Sequence, residues 1–425
     1  MTRTKVQCNK PLNGLFEKIL ITSIVASSML VASGYKIPET STNSVALSGA
    51  NIAHTRSSDA AYDNPANMIF MEDTNHIEAD LMYIGLSGTK FNGTVSTTTQ
   101  HSMTSEEQTF IIPSVHYVSP KLGENGVRLG LSIVVPGGLT REWKEEPAKT
   151  SAEEFTLQIM EINPTVAYEV TNDLAIAFGF RLVDTNGVVK SDGTHATYAK
   201  ISRDMIGSSI DYGYNLALAY HPMDNLELAT TYRSKVNLTV NGSADLSVLN
   251  GTSTYSGDAS VTIPLPATFS AAAAYTFSTK TTVEFVYEVS YWSAYESLDF
   301  KYDGTVNNAT AIFSASIPKN WKDTNAFRLG VTQELDSVTL MAGVVVDESP
   351  TPESTLNFES PGSDSLSVSL GGRYQIDESL DVGLSVLYSM KEDRDISSSV
   401  NVNKINGTFS NSNALLISAG LGYKF

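Results

Sequence analysis

A chain of 425 residues could hold two or three ordinary domains, yet only 17% of it is charged and it carries one cysteine. The net charge of -18 sets aside nucleic acid as a partner, because phosphate backbones are bound by clustered Lys and Arg. Beyond the first thirty-odd residues no run approaches the ~18–20 apolar residues of a membrane helix, which excludes a helical membrane protein.

Residues 1–33 read as a secretory signal peptide. Arg3, Lys5, Lys10 and Lys18 precede an apolar run from Ile19 to Val31, and Val31-Ala32-Ser33 offers a cleavage site that leaves Gly34 at the new N-terminus. Cleavage would discard Cys8, so the exported chain would have neither a disulfide nor a lipidated cysteine. Residues 34–75 alternate poorly and are rich in small residues, which suits a plug, or hatch, that fills a lumen.

From residue 76 to 425 the rhythm has period two. Val127, Leu129, Leu131, Ile133 and Val135 share a face opposite Arg128, Gly130 and Ser132; Leu174, Ile176, Phe178, Phe180 and Leu182 oppose Ala175, Ala177, Gly179 and Arg181. One face is large and apolar, the other small or polar, as in a wall between lipid and lumen. About fourteen such segments occur, near 77–86, 110–118, 127–135, 157–169, 173–182, 211–220, 225–237, 266–277, 281–292, 325–334, 337–346, 364–375, 379–390 and 414–425. Short turns such as Val170–Asn172 and Leu335–Asp336 follow the even-numbered segments. Long Ser-, Thr-, Asn- and Gly-rich stretches (87–109, 183–210, 238–265, 293–324) follow the odd ones. The expected fold is therefore all-β: a 14-stranded antiparallel transmembrane β-barrel with an N-terminal luminal plug, set in the outer membrane of a Gram-negative cell. The last segment places Leu415, Ile417, Ala419, Leu421, Tyr423 and Phe425 on one face; Tyr423 and the terminal Phe425 resemble the signature read by outer-membrane barrel assembly machinery.

Several fragments, in order, carry a family resemblance: Gly34-Tyr35-Lys36-Ile37, Asn64-Pro65-Ala66, the segment from Pro113 to Pro120, the segment from Glu161 to Tyr168, Tyr232-Arg233-Ser234, Leu265-Pro266-Ala267-Thr268, Asn320-Trp321-Lys322-Asp323, and the segment from Asp347 to Pro352. Together they resemble the FadL/TodX family of outer-membrane transporters of long-chain fatty acids and aromatic hydrocarbons, over essentially all of 34–425. The resemblance implies a monomer that admits hydrophobic small molecules past a mobile hatch and releases them laterally, through a kinked third strand, into the membrane lipid. The loop Arg141-Glu142-Trp143-Lys144-Glu145-Glu146 departs from the apolar loops of that family.

Read onto these residues, Asn64-Pro65-Ala66 is either a gate or a turn that ends the plug. Tyr35 and Ile37 would line the substrate pocket. Val135-Pro136-Gly137-Gly138 marks either the lateral opening or the end of the strand, since Pro removes a ladder donor and Gly tolerates bulges. Arg181 and Lys322 are candidates to meet a carboxylate, against the alternative of ion pairing within the protein. The six histidines are scattered, with no catalytic elbow, metal spacing or cofactor-binding glycine pattern, so neither an enzyme, a metal nor a cofactor is expected. A general diffusion porin or a surface-loop adhesin on the same barrel is the rival reading.

Overall fold

The computed structural model describes residues 34–123, 126–195, 199–249, 251–307 and 310–425; the expected signal peptide lies outside them. Fourteen antiparallel strands follow one another around the wall: β1 (His76–Leu86), β2 (Gln108–Val118), β3 (Val127–Arg141), β4 (Glu154–Thr171), β5 (Leu174–His195), β6 (Ala199–Met223), β7 (Leu226–Arg233, then Val236–Val248), β8 (Thr252–Leu265, then Thr268–Thr276), β9 (Thr281–Ser290), β10 (Thr324–Glu334), β11 (Val338–Asp347), β12 (Ser365–Gln375), β13 (Leu380–Lys391) and β14 (Ala414–Lys424). β1 pairs along its whole length with both β2 and β14, so the sheet closes on itself and leaves no outer edge.

The two-beat rhythm has the expected meaning. On β1, Asp80 is 5% exposed and its neighbour Leu81 53%. Leu129, Phe178, Phe285, Phe327 and Leu370 point outward, whereas Arg128, Arg181, Glu284 and Arg328 are buried on the inside. Only lipid makes an outward belt of this kind favourable, at about 25 cal/mol per Å² of apolar surface kept from water.

Two stretches expected as loops are strands. Residues 183–210 continue β5 and begin β6, and residues 238–265 continue β7 and begin β8. Their alternation is present, but along β7 and β8 the side that faces inward switches parity, whereas β5 and β6 keep their odd-numbered residues inward (Ala177 and Val183, Met205 and Ala217). Below residue 234, Glu227 and Ala229 of β7 face inward; above it Val236, Leu238 and Val240 do. The switch occurs at Ser234-Lys235 and, on β8, at Pro266-Ala267. Above the bilayer the outside meets water, so apolar side chains turn in and build a core over the barrel mouth with Phe155, Trp292 and Phe300. A second external unit, a four-stranded sheet of Lys90–Val95, His101–Thr104, Arg394–Ile396 and Ile405–Ser410, packs Phe91 and Phe409 against Trp143 and Phe358.

Residues 34–75 lie against the inward face of the wall as two short helices, α1 (Thr42–Ala46) and α2 (Ala60–Asp63), and a 3-10 turn (Pro65–Phe70). Small residues on the wall let this segment close in: a Cβ on Gly343 of β11 would lie 2.2 Å from the Leu47 carbonyl carbon.

Candidate functional site

Residues 34–37 reach the mouth of the barrel. Gly34 has φ +71, and a Cβ there would meet the Trp292 ring at 2.7 Å and the Trp321 ring at 2.9 Å, so only glycine fits. The Tyr35 ring packs edge-on to Trp292 with centroids 4.7 Å apart, and its hydroxyl donates to the Pro264 carbonyl. Lys36 donates to Glu288 and, at 2.9 Å, to Ser290 on β9.

The backbone of this segment pairs with β3. Ile37 N–H donates to the Pro136 carbonyl at 2.9 Å, and Gly138 N–H donates to the Tyr35 carbonyl at 2.8 Å. That edge of β3 is free because β2 and β3 share only four rungs, Val115↔Ile133 to Val118↔Gly130. The β3–β4 register slips between Val134 and Gly137, where Pro136 contributes no donor. Above the four rungs the strands part, leaving a cavity of ≈ 230 Å³ lined by Phe110, Ile112, Val135, Gly138, Leu157 and Ile159. Tyr35, Ile37, Pro136, Gly137 and Gly138, picked from distant parts of the sequence, thus form one contact, and Val135 packs beside them.

Two further cavities adjoin it. Above, in the apolar core, a void of ≈ 30 Å³ is lined by Phe155, Leu157, Met205, Val240, Ile263 and Phe300. It has space for about one water and none for an alkyl chain, so the site is filled by the protein's own residues. Below, in the lumen, a charged cavity of ≈ 80 Å³ is lined by Lys36, Asp63, Arg181, Arg233, Glu288 and Arg328.

Arg181 makes a fork to Glu161 (Nε to Oε1 3.0 Å, Nη2 to Oε2 2.8 Å), which Arg233 also joins through Nη2. Its place is therefore an internal ion pair. Lys322 is exposed outside the barrel and its backbone N–H donates to the Pro350 carbonyl at 2.9 Å; it does not join Arg181. Sequence reading missed Arg141, at the external end of β3. It is buried, its Nη1 donates to Thr89 Oγ1 at 2.7 Å and Ser105 Oγ at 2.9 Å, and its Nε has no partner. Its position directly beyond the Pro136–Gly138 bulge was the available signal.

In the hatch, Asn64 Oδ1 accepts from the Ala66 N–H at 3.1 Å and Nδ2 donates to the Ile52 carbonyl at 2.8 Å, while Pro65 opens the 3-10 turn. Asn64 therefore caps a turn and ties it to the preceding loop. That loop is held by the wall: one Glu284 carboxylate accepts the N–H groups of Ile52 (2.8 Å), Ala53 (2.6 Å) and His54 (3.1 Å). Burial, helped by the neighbouring Asp59 carboxylate, pushes the Asp63 carboxyl well above its ordinary range. At the other end of the chain Tyr423 and Phe425 point outward and stack at 5.8 Å.

A closed barrel of fourteen antiparallel strands, with a lipid-facing apolar belt and an occupied lumen, defines an outer-membrane β-barrel. The chain belongs to the family of outer membrane transport proteins described as OMPP1/FadL/TodX, whose profile matches residues 23–425. It is 24% identical to the long-chain fatty acid transport protein of Escherichia coli K12 over 76% of this chain and 80% of that one. The Salmonella typhi counterpart is 25% identical over the same shares. Among solved structures, a Pseudomonas aeruginosa FadL homologue superposes with a TM-score of 0.81 (18% identity, 92% of this chain, 100% of that one). The Pseudomonas putida toluene transporter TodX superposes at 0.70 (16%, 92% and 100%).

Proposed function

We infer that this protein admits hydrophobic small molecules, long-chain fatty acids or hydrocarbons, across the outer membrane. The hatch rearranges, and the molecule leaves sideways through the gap between β2 and β3. One observation carries this reading: Tyr35 fills the apolar core while the backbone of residues 35–37 covers the unpaired edge of β3. Displacing them empties the site and uncovers the gap in a single movement. An alkyl chain that takes their place keeps its surface from water at about 25 cal/mol per Å², and the gap delivers it to lipid without crossing the polar lumen. A gate role for Asn64, Pro65 and Ala66 fits their position, since they fasten the hatch loop that the N-terminal segment must leave behind. For a fatty acid, Arg141 suits the carboxylate better than Arg181 or Lys322, having only hydroxyl partners and standing across the ladder from Phe155 of the apolar core.

The test is to fill the gap. A Cβ on Gly138 has the Leu157 carbonyl at 3.3 Å as its nearest neighbour, so Gly138→Phe places a ring between β2 and β3 with a small adjustment. Uptake of radiolabelled oleate by cells should fall at least tenfold while the heat-modifiable folded barrel persists. Undiminished uptake would exclude this exit. A large steady ion current through the purified wild-type protein in a planar bilayer would favour a diffusion porin instead.

A further inference from the structure

The wall has a second break. Between β6 and β7 the ladder runs from Met223↔Leu226 to Asn215↔Arg233, stops, and resumes at Ser208↔Asn241. Residues 209–214 and 234–240 face each other without rungs, over a length of roughly 20 Å. Side chains bridge the space instead. Asp211 accepts the Thr239 N–H at 3.1 Å, Ser234 Oγ accepts the Tyr214 N–H at 2.9 Å, and one backbone bond, Ser234 N–H to the Tyr214 carbonyl at 2.8 Å, marks the lower end. The break starts at the level where the outside changes from lipid to water, so its lower end, at Tyr214 and Ser234, borders the membrane, and a wall built only as a barrier would carry the ladder through it.

Both sides of the break are apolar. Inside, Val236, Leu238 and Val240 belong to the core that holds Tyr35. Outside, Ile210, Tyr212 and Tyr214 are exposed. Directly below, the lipid-facing wall carries a hollow of ≈ 470 Å³ lined by Val166, Phe178, Leu216, Thr231, Tyr232 and Phe269, and Thr231 also lines the charged luminal cavity. A bolt crosses the inner side. Arg181 of β5 reaches past Gly213 of β6 and donates through Nη1 to the Ser234 carbonyl of β7 at 2.5 Å, while Glu161 holds its other nitrogens.

We propose that the β6–β7 break is a second lateral doorway, through which alkyl chains pass between the apolar core and the membrane hollow, with Arg181 as its bolt. The proposal rests on the transporter reading above but on a different part of the wall. The N-terminal segment bears on both doorways: its backbone covers the β3 edge, and the Tyr35 hydroxyl is held by Pro264 beside the β8 bend. Movement of that segment would loosen the two together.

The break can be locked. An ideal Cβ on Gly213 lies 2.8 Å from Ser234 Oγ, close to the roughly 3 Å between a Cβ and the far sulfur of a disulfide, and residues 34–425 contain no cysteine to compete. In cells producing Gly213→Cys with Ser234→Cys on the Gly138→Phe background, the oleate uptake that remains should be at least threefold slower oxidised than reduced. There the oxidised pair should bring uptake down to that of cells lacking the protein. Equal rates with and without dithiothreitol on that background would overturn the second doorway. If Gly138→Phe changes nothing while the disulfide slows uptake, the β2–β3 exit fails and this one stands. A measurement on the unaltered protein guards against a misfolded variant: a diazirine-bearing fatty acid in proteoliposomes should label Leu238 and Tyr212 at least threefold more than the lipid-facing Leu370 and Leu384. Even labelling would refute the doorway.

Discussion

Asn64 shows how much one side chain can hold. It is fully buried, and its amide joins the start of a 3-10 turn to a loop twelve residues earlier. Removing a cap of this kind costs about 1–2 kcal/mol, while the Ile52 carbonyl keeps a second donor, Asn67 Nδ2 at 3.0 Å. Asn64→Ala should therefore raise hydrogen exchange of residues 52–67 roughly 5–30-fold while the strands keep their protection, since 1–2 kcal/mol is a factor of that size. Oleate uptake should change with it. Unaltered exchange would show that Glu284 and Asn67 hold the loop without Asn64. The Asn64-Pro65-Ala66 turn was visible in the sequence; the carbonyl it ties down was not, because Ile52 lies in a stretch with no pattern of its own. The same limit applied to Arg181 and Lys322. Both read as cations near the lumen, and only packing decides that one is tied to Glu161 and the other left in solvent.

Among elements, the hatch and the wall are fitted through glycine. At Gly343 the backbone of β11 touches Leu47–Ser48 so closely that a side chain has no room. Gly343→Val should push α1 off the wall without disturbing the outward face of β11, and the displaced plug should appear as a steady ion conductance in planar bilayers several times that of the wild type. A silent channel would mean that the hatch is seated elsewhere, for instance by Arg328 on the Ser48 carbonyl (2.8 Å). The fourteen strands were legible because lipid imposes one phase on all of them. The upper halves of β5 to β8 were not, although Val236, Leu238 and Val240 alternate cleanly. Their apolar side faces the core over the barrel mouth, and no local pattern announces that the solvent outside has changed from lipid to water. The break between β6 and β7 escaped for a related reason: register belongs to pairs of strands, and the sequence displays strands singly.

For the whole molecule, the decisive step is closure. β1 and β14 are the two ends of the wall, more than three hundred residues apart, and their pairing is the most distant contact in the barrel. Contacts of such separation form late, since the loop entropy must be met first. The seam ends in a tight clasp: Asn75 and Phe425 exchange backbone hydrogen bonds of 3.1 Å, and Thr74 Oγ1 donates to the Phe425 carbonyl at 2.8 Å. Phe425 also stacks on Tyr423 at the membrane boundary, where aromatic rings are favoured. Deleting Phe425 removes this last rung and the outer ring of the pair but leaves the other rungs of the seam. Mature barrels that do form should therefore melt near the wild-type temperature, while the rate at which heat-modifiable barrel accumulates in cells should drop several-fold. Phe425→Tyr, which keeps ring and backbone, should restore the rate. If the deletion lowers the melting point and leaves the rate alone, Phe425 serves the finished seam and has no part in guiding its closure.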